Sequence, residues 1–364
     1  MTIQQITDYL ESIAPLSLQE SYDNSGLLVG TKNAQLKGVL VTLDCTEEVV
    51  DEAIKNKCNL IVAHHPIIFG GLKKLNGKNY VERVVIKAIK SDVAIYAIHT
   101  NFDNVLQGVN AEIAKRIGLT NCKILAPKPS TLRKLYTFIP VNDYPKVASA
   151  VFAAGAGHIG NYSETGFRTQ GTGTFRGNEN TNPTIGKKGV LEEVNEVRFE
   201  TIFPVHLQSA VVSALIKAHP YEEVAYDVVE LQNTHAQIGS GMIGELKAPM
   251  NEMSFLKKLK KQMQTVCVRH TALRNKPIKR VAICGGAGSF LLKAAVAAGA
   301  DAFVTADFKY HEFFDAENQL VIADIGHYES EQFTKDLLAK HLSEKFPIIA
   351  PLISKINTNP VKYL

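Results

Sequence analysis

Cysteine is scarce in this chain, with five among 364 residues: Cys45, Cys58, Cys122, Cys267 and Cys284. They are odd in number, scattered and mostly set in apolar stretches, which argues for buried reduced thiols and against a disulfide framework or a zinc knuckle. Long apolar runs are missing too. The longest are short and interrupted, so no membrane span is expected. The first residues, MTIQQITDYLESIAP, place Ile3, Ile6, Leu10 and Ile13 at helical intervals with acidic residues between them. That pattern is unlike a secretory signal, and a cytoplasmic protein is expected. A surplus of one charge is also lacking. The formal net charge is only +4, with no Lys/Arg block and no basic-aromatic platform, so nucleic acid is not indicated as a partner.

What remains is ordinary globular material, 45% hydrophobic and 21% charged, long enough for two or three domains. Short β-rich runs alternate with helical stretches: GVLVTLDCT (38–46), LIVAHHP (60–66) and VAIYAIHTNFD (93–103), then VAICGGAGS (281–289), DAFVTADF (301–308) and LVIADIGH (320–327). This alternation predicts an α/β core of parallel βα units, three on each side of a long middle segment, all in one sheet. The middle differs. It carries the Gly/Thr/Asn-rich GAGHIGNYSETGFRTQGTGTFRGNENTNPTIG and a duplicated pattern, KLYTFIPV with DYPKVASAVFAAG and VRFETIFPV with HLQSAVVSALIKAHP. Two tandem strand-helix-strand units predict a ferredoxin-like βαββαβ insert. The expected organisation is therefore residues 1–127 as the first half of the core, 128–235 as the insert and 236–364 as the second half.

In LIVAHHPIIFG an apolar strand ends on His64 and His65, and Pro66 stops it. Successive strand side chains point to opposite faces, so two neighbouring imidazoles that diverge at a strand end suit two metal ions, one each. Ligands gather at the carboxyl ends of parallel strands. The other strand ends supply Asp44, His99, Asp103, Asp307, His311, Asp324, His327 and Glu331. In GHYESEQFTKDLLAKHL the helical pattern begins near Tyr328, so His327 and Glu331 share one face. Asp103 offers two oxygens and is the expected bridge between ions about 3.5–4 Å apart. Three histidines and two carboxylates exceed one zinc with an open position, which favours a dinuclear site on His64, His65, Asp103, His327 and Glu331. Zinc, iron and manganese all suit that donor set. A lone strand-end histidine is more often packed than ligating, and a spaced His/Glu pair is commonly a surface pairing; only their coincidence favours metal.

Weaker signals accompany these. Gly286, Gly288 and Ser289 in CGGAGS, with Lys309, could hold a phosphate, although a tight βα turn and a solubilising lysine explain them equally. His99, Tyr310 and His311 sit near strand ends where a proton donor or a ligand-orienting group belongs, with packing as the alternative. His219 and Glu222 in AHPYEE are read as a helix stop at Pro220 in preference to a second site.

The motifs ESYDNSGLLVG, LIVAHHPIIFGGLKKL, YAIHTNFDN, VAICGGAGSFLLKAA, DAFVTADFKYHE and IADIGHYESE closely resemble the Ngg-interacting-factor-three-like proteins, also labelled GTP cyclohydrolase I type 2 homologues. The resemblance covers nearly the whole chain, and GAGHIGNYSETGF, GTGTF and AHPYEE look like a PII/CutA-like insert within a two-lobe α/β core. It implies a bimetal site on His64, His65, Asp103, His327 and Glu331, two divalent ions per subunit, and a homohexameric ring. Tyr22 stands where the family commonly has Trp, and Phe102 where Leu is usual. The implied reaction is metal-assisted hydrolytic opening of the guanine ring of GTP with release of formate. A metal-dependent phosphoesterase and a non-enzymatic metal-binding ring scaffold remain open beside it.

Overall fold

Leu60, Ile61, Val62 and Ala63 are all completely buried, as an apolar run without alternation requires of a strand covered on both faces. In the computed structural model, which describes residues 1–364, this strand is the middle of a five-stranded sheet. The order is Gly26–Val29, Ala94–Ala97, Leu60–Ala63, Val39–Thr42, Leu352–Ile353. Gly26–Val29 runs antiparallel to its neighbour and the remaining pairs are parallel. The crossover helices Glu47–Lys55 and Tyr80–Lys90 start on caps, with Thr46 Oγ1 accepting the Val49 N–H and Asn79 Oδ1 that of Glu82.

The later βα units build a second, six-stranded sheet in the order Arg269–His270, Val321–Asp324, Ala302–Ala306, Ile278–Ala287, Gly239–Met250, Leu119–Pro127. The single sheet expected from the alternation is therefore corrected to two. Gly239–Met250 pairs antiparallel with Ile278–Ala287 and takes the edge at which a common parallel sheet would have continued. Gly26–Val29 does the same in the first sheet. One core joins them, with Ile6, Val41, Val62, Tyr96 and Phe102 from the first half against Val281, Val304, Val321 and Leu338 from the second. The carboxyl ends of Leu60–Ala63, Ala94–Ala97, Ala302–Ala306 and Val321–Asp324 carry the candidate donors.

The chain divides into two compact units, Met1–Ala126 with Gln237–Leu364, and Pro127–Ala236. The second has an antiparallel sheet in the order Gly166–Arg176, Leu191–Pro204, Leu132–Pro140, Tyr226–Glu230. With helices Tyr144–Ala153 and Gln208–Ala218 the element order is βαββαβ. Both helices cover one face through Leu135, Ile139, Val147, Phe199, Val211 and Leu215, leaving the other face open. His219 ends the second helix there. Its Nε2–H donates to the Phe138 carbonyl and its Nδ1 accepts the Tyr221 N–H, which is the helix-stop reading in structural form. No helix is long and apolar enough to cross a membrane.

Candidate metal centre

His64 and His65 continue the strand ladder for two more bonds, to the Thr42 and Leu43 carbonyls, before Pro66 ends it. What then orients the imidazoles is the partner of each Nδ1. His64 Nδ1 lies 2.8 Å from the Ile98 carbonyl, His65 Nδ1 2.7 Å from Asp44 Oδ1, His327 Nδ1 2.6 Å from Asp307 Oδ2 and His99 Nδ1 2.8 Å from Asp23 Oδ1. A carbonyl can only accept, so His64 carries its proton on Nδ1 and presents a lone pair at Nε2. The same arrangement serves ligating histidines, whose outer nitrogen is held while the inner one faces the ion.

The inner nitrogens meet at one carboxylate. Glu331 Oε2 is 2.9 Å from His65 Nε2, 3.2 Å from His327 Nε2 and 3.8 Å from His64 Nε2. Asp103 Oδ1 stands 3.7 Å from His64 Nε2. Two donors each about 2.1 Å from one ion at a tetrahedral angle are about 3.4 Å apart, so these separations suit shared coordination. The donors form three overlapping groups, His65–His327–Glu331, His64–Asp103–Glu331 and His64–His65–His99, each with its donor atoms within 4.8 Å of one another. Glu331 belongs to both groups that contain a carboxylate. Glu331 Oε2 thus lies near all three imidazoles, whereas Asp103, at the end of the short helix Thr100–Asp103, comes close to only one of them. His64 and His65 enter different carboxylate-containing groups, share a third group with His99, and both approach Glu331.

The fit to a cation can be judged from what these atoms lack. His64 Nε2 and Asp103 Oδ1 are buried with no hydrogen-bond partner. Such groups are almost always satisfied in folded proteins, and a cation would satisfy this pair at once. The glycine turn also belongs to this centre. Gly286 has φ +61°, and a Cβ there would sit 2.6 Å from Glu331 Oε1, so only glycine lets the backbone lie against the carboxylate.

In the phosphate reading of the same turn, several of the groups are already engaged. The Gly286 N–H donates to Ser330 Oγ, and Gly288 is packed against Thr305 and Cys284. Ser289 opens a single 3-10 turn, and the Lys309 N–H donates to its own neighbour Glu312. Tyr310 and His311 stand ring-edge to ring, 5.1 Å apart, on the turn Tyr310–Ala316 and join none of the donor groups. His99 does join one. Asp324, also at a strand end, is occupied by the Phe308 and Gly326 N–H groups and by Arg269.

A family model described as Duf34/NIF3 (NGG1p interacting factor 3) matches residues 1–360. The chain belongs to that family. Among curated relatives, a protein of Halalkalibacterium halodurans named "GTP cyclohydrolase 1 type 2 homolog" is 41% identical over 366 residues, covering 99% of this chain and 98% of the relative. A Bacillus subtilis protein of the same name is 39% identical over 367 residues, with 99% and 98% covered. Among solved structures, a Bacillus cereus protein related to NIF3 superposes with a TM-score of 0.87 at 39% identity, covering 100% of this chain and 99% of that one. The Staphylococcus aureus protein SA1388 gives 0.79 at 33% identity, again with 100% and 99% covered.

Electrostatics in this Duf34/NIF3 chain follow from packing carboxylates and imidazoles together. Burial alone disfavours a charged Glu331, yet His327, His64 and His65 hold it well below the usual carboxylate range. Glu331 in turn pushes His327 up to about 11 against burial, helped by Asp307. Burial opposes charge on His65 as well, but hydrogen bonds to Asp44 and Glu331 raise it to about 9. Burial, then the Glu331 charge, pushes Asp103 up to about 8. Without a cation, protons therefore occupy His327, His65 and Asp103 at neutral pH, while Glu331 stays charged. A divalent ion must displace them, so affinity rises with pH by about tenfold per unit for each proton displaced, until pH passes the raised values. Titration calorimetry in buffers of different ionisation enthalpy should show proton release at pH 7; metal uptake without it would contradict this charge assignment.

Two cavities flank the centre and share His65 and His327. One, of about 410 Å³, is bordered by Tyr22, Phe69, Phe290 and His99; the other, of about 490 Å³, by Arg269, Asp307 and the segment Asn359–Val361.

Proposed function

We propose that this chain is a divalent-metal-dependent hydrolase with two ions per subunit, one on His65, His327 and Glu331 and one on His64, Asp103 and Glu331. The observation that carries the reading is the pair of buried, unpartnered donors, His64 Nε2 and Asp103 Oδ1, beside a carboxylate within 3.8 Å of three imidazole nitrogens. Zinc, iron and manganese suit these donors. Bound there, the ions supply Lewis-acid activation of water for attack on an electrophilic carbon.

The rest is work for the chain's own residues. Asp44, Asp307 and the Ile98 carbonyl fix three rings by their outer nitrogens, so the donors are aligned before any ligand arrives. His99, held by Asp23 on the wall of the smaller cavity, is placed to hold or pass a proton. Tyr22, Phe69 and Phe290 leave 63%, 53% and 68% of their surface exposed around that cavity, which suits stacking of a planar base. With the relatives' name, this supports GTP as the substrate, its guanine ring opened hydrolytically with release of formate. The phosphoester alternative loses its backbone donor, since the Gly286 N–H is committed to Ser330.

Metal-loaded protein incubated with GTP should release formate, and His64→Ala should remove most of that activity. GTP left intact by fully loaded protein would sink the substrate assignment; full metal occupancy in His64→Ala would sink the site. The family resemblance also supports a homohexameric ring, which sedimentation equilibrium would test, and the βαββαβ order of the insert supports a PII/CutA-like reading of it.

A further inference from the structure

The open face of the Pro127–Ala236 sheet holds the largest of the described cavities, about 710 Å³, a volume in the range of small-molecule sites. Its floor includes the edge strand Gly166–Arg176, where Gly171 pairs with Glu196 and Gly173 with Val194. Glycine inside a strand costs conformational entropy and packing, and is kept where another body comes close. Gly173 makes room for the protein itself, since a Cβ there would lie 2.1 Å from Glu196 Oε2. Gly171 makes room for nothing in the chain: a Cβ there meets no atom within 4 Å.

The charges over this floor are unevenly satisfied. Glu196 accepts the Tyr221 hydroxyl at 2.9 Å. Glu222 accepts the Asn182 N–H at 2.8 Å and, with the 2.8 Å bond from Thr184 Oγ1 to the Pro220 carbonyl, draws the loop after Arg176 back over the sheet. Glu223 stands exposed at the rim. Arg198, in register with Phe138 and Thr169, has no carboxylate partner, and its guanidinium rests 4.8 Å above the Tyr136 ring. A guanidinium over a ring with its donors uncommitted is suited to a carboxylate or phosphate. Phe138 and Phe175 give the same cavity two aromatic walls.

We propose that this cavity binds a small organic anion with a planar apolar body, its carboxylate or phosphate on Arg198 and its ring system against Phe138 and Phe175 over Gly171. The site is independent of the metal centre, since no residue of it belongs to the donor groups.

The test uses the full chain and 1-anilinonaphthalene-8-sulfonate, a planar organic anion that fluoresces when sheltered from water. Saturable binding of one probe per chain is expected. Arg198→Gln should weaken it about tenfold or more through loss of charge-assisted hydrogen bonds. Gly171→Val should abolish it, because a Cβ at this position stands in open space within the cavity and valine suits a strand. Displacement of the probe by inorganic phosphate assigns a phosphate ligand, and displacement by benzoate a carboxylate. Absence of saturable binding, or binding equally strong in both variants with their circular dichroism unchanged, overturns the proposal.

Discussion

Glu331→Gln should empty both metal positions together, reducing the metal content of purified protein to a small fraction of that of the unmodified chain. The substitution keeps the size of the side chain and removes the charge that three imidazole nitrogens within 3.8 Å converge upon. His64→Ala, by contrast, leaves the His65–His327–Glu331 group whole and should spare one ion, and Asp103→Asn should act only on the ion beside His64. Elemental analysis with calorimetric titration of the apo-proteins separates these outcomes. Loss of both ions from Asp103→Asn while Glu331→Gln keeps one would return the bridge to Asp103. The Glu331→Gln variant also reports on the charge network, because removing the Glu331 charge takes away the first cause of the raised His327 value.

Asp23→Ala should cost about 2–4 kcal/mol of stability at pH 7, since it strips several hydrogen bonds to a charged acceptor from part-buried donors. Asp23 Oδ1 accepts from the Asn24 N–H at 2.7 Å and from His99 Nδ1 at 2.8 Å, and Oδ2 accepts from the Thr100 N–H at 3.0 Å, from Ser25 Oγ at 3.1 Å and from the Thr100 hydroxyl. Burial works against its charge, but His99 and Thr100 outweigh it and hold the carboxyl well below the usual range. A carboxyl depressed in the folded state stabilises above its unfolded value, about 3.9, and loses that contribution as pH falls further. Urea unfolding followed by circular dichroism, with chelator present to keep metal out, should therefore show the two proteins far apart at pH 7 and converging below about pH 3. An equal gap at both pH values would mean that the charge of Asp23 is not what matters.

Much of the centre was legible in the sequence because its donors lie where periodicity breaks. His64 and His65 interrupt an apolar strand, and His327 and Glu331 share a helix face, so strand-end chemistry and spacing were enough to gather them. Asp23 was not legible. It lies in a turn-like DNSG stretch that reads as loop punctuation, and only the fold brings it to His99, 76 residues away. The same holds for Thr358, whose hydroxyl reaches Asp44 across 314 residues. Gly286 gave a signal but did not name its neighbour Glu331, since a glycine that admits a phosphate and one that admits a glutamate look alike in one dimension. The division of six parallel strands between two sheets was hidden for a related reason: alternation fixes what each strand is, while the edge partners Gly26–Val29 and Gly239–Met250 decide where a sheet stops. The duplicated middle segment was easier, because two copies of one pattern in tandem leave few topologies open.

The donors are split in synthesis as well as in sequence. His64, His65 and Asp103 emerge from the ribosome before Pro127–Ala236, His327 and Glu331 long after it, and 266 residues separate His65 from the Glu331 that completes its group. A nascent chain thus carries half a binding site for most of its elongation, with two imidazoles and a carboxylate that no single ion can yet hold in the final geometry. In the proposed two-ion site neither carboxylate-containing group is complete until the nearly finished polypeptide includes Glu331.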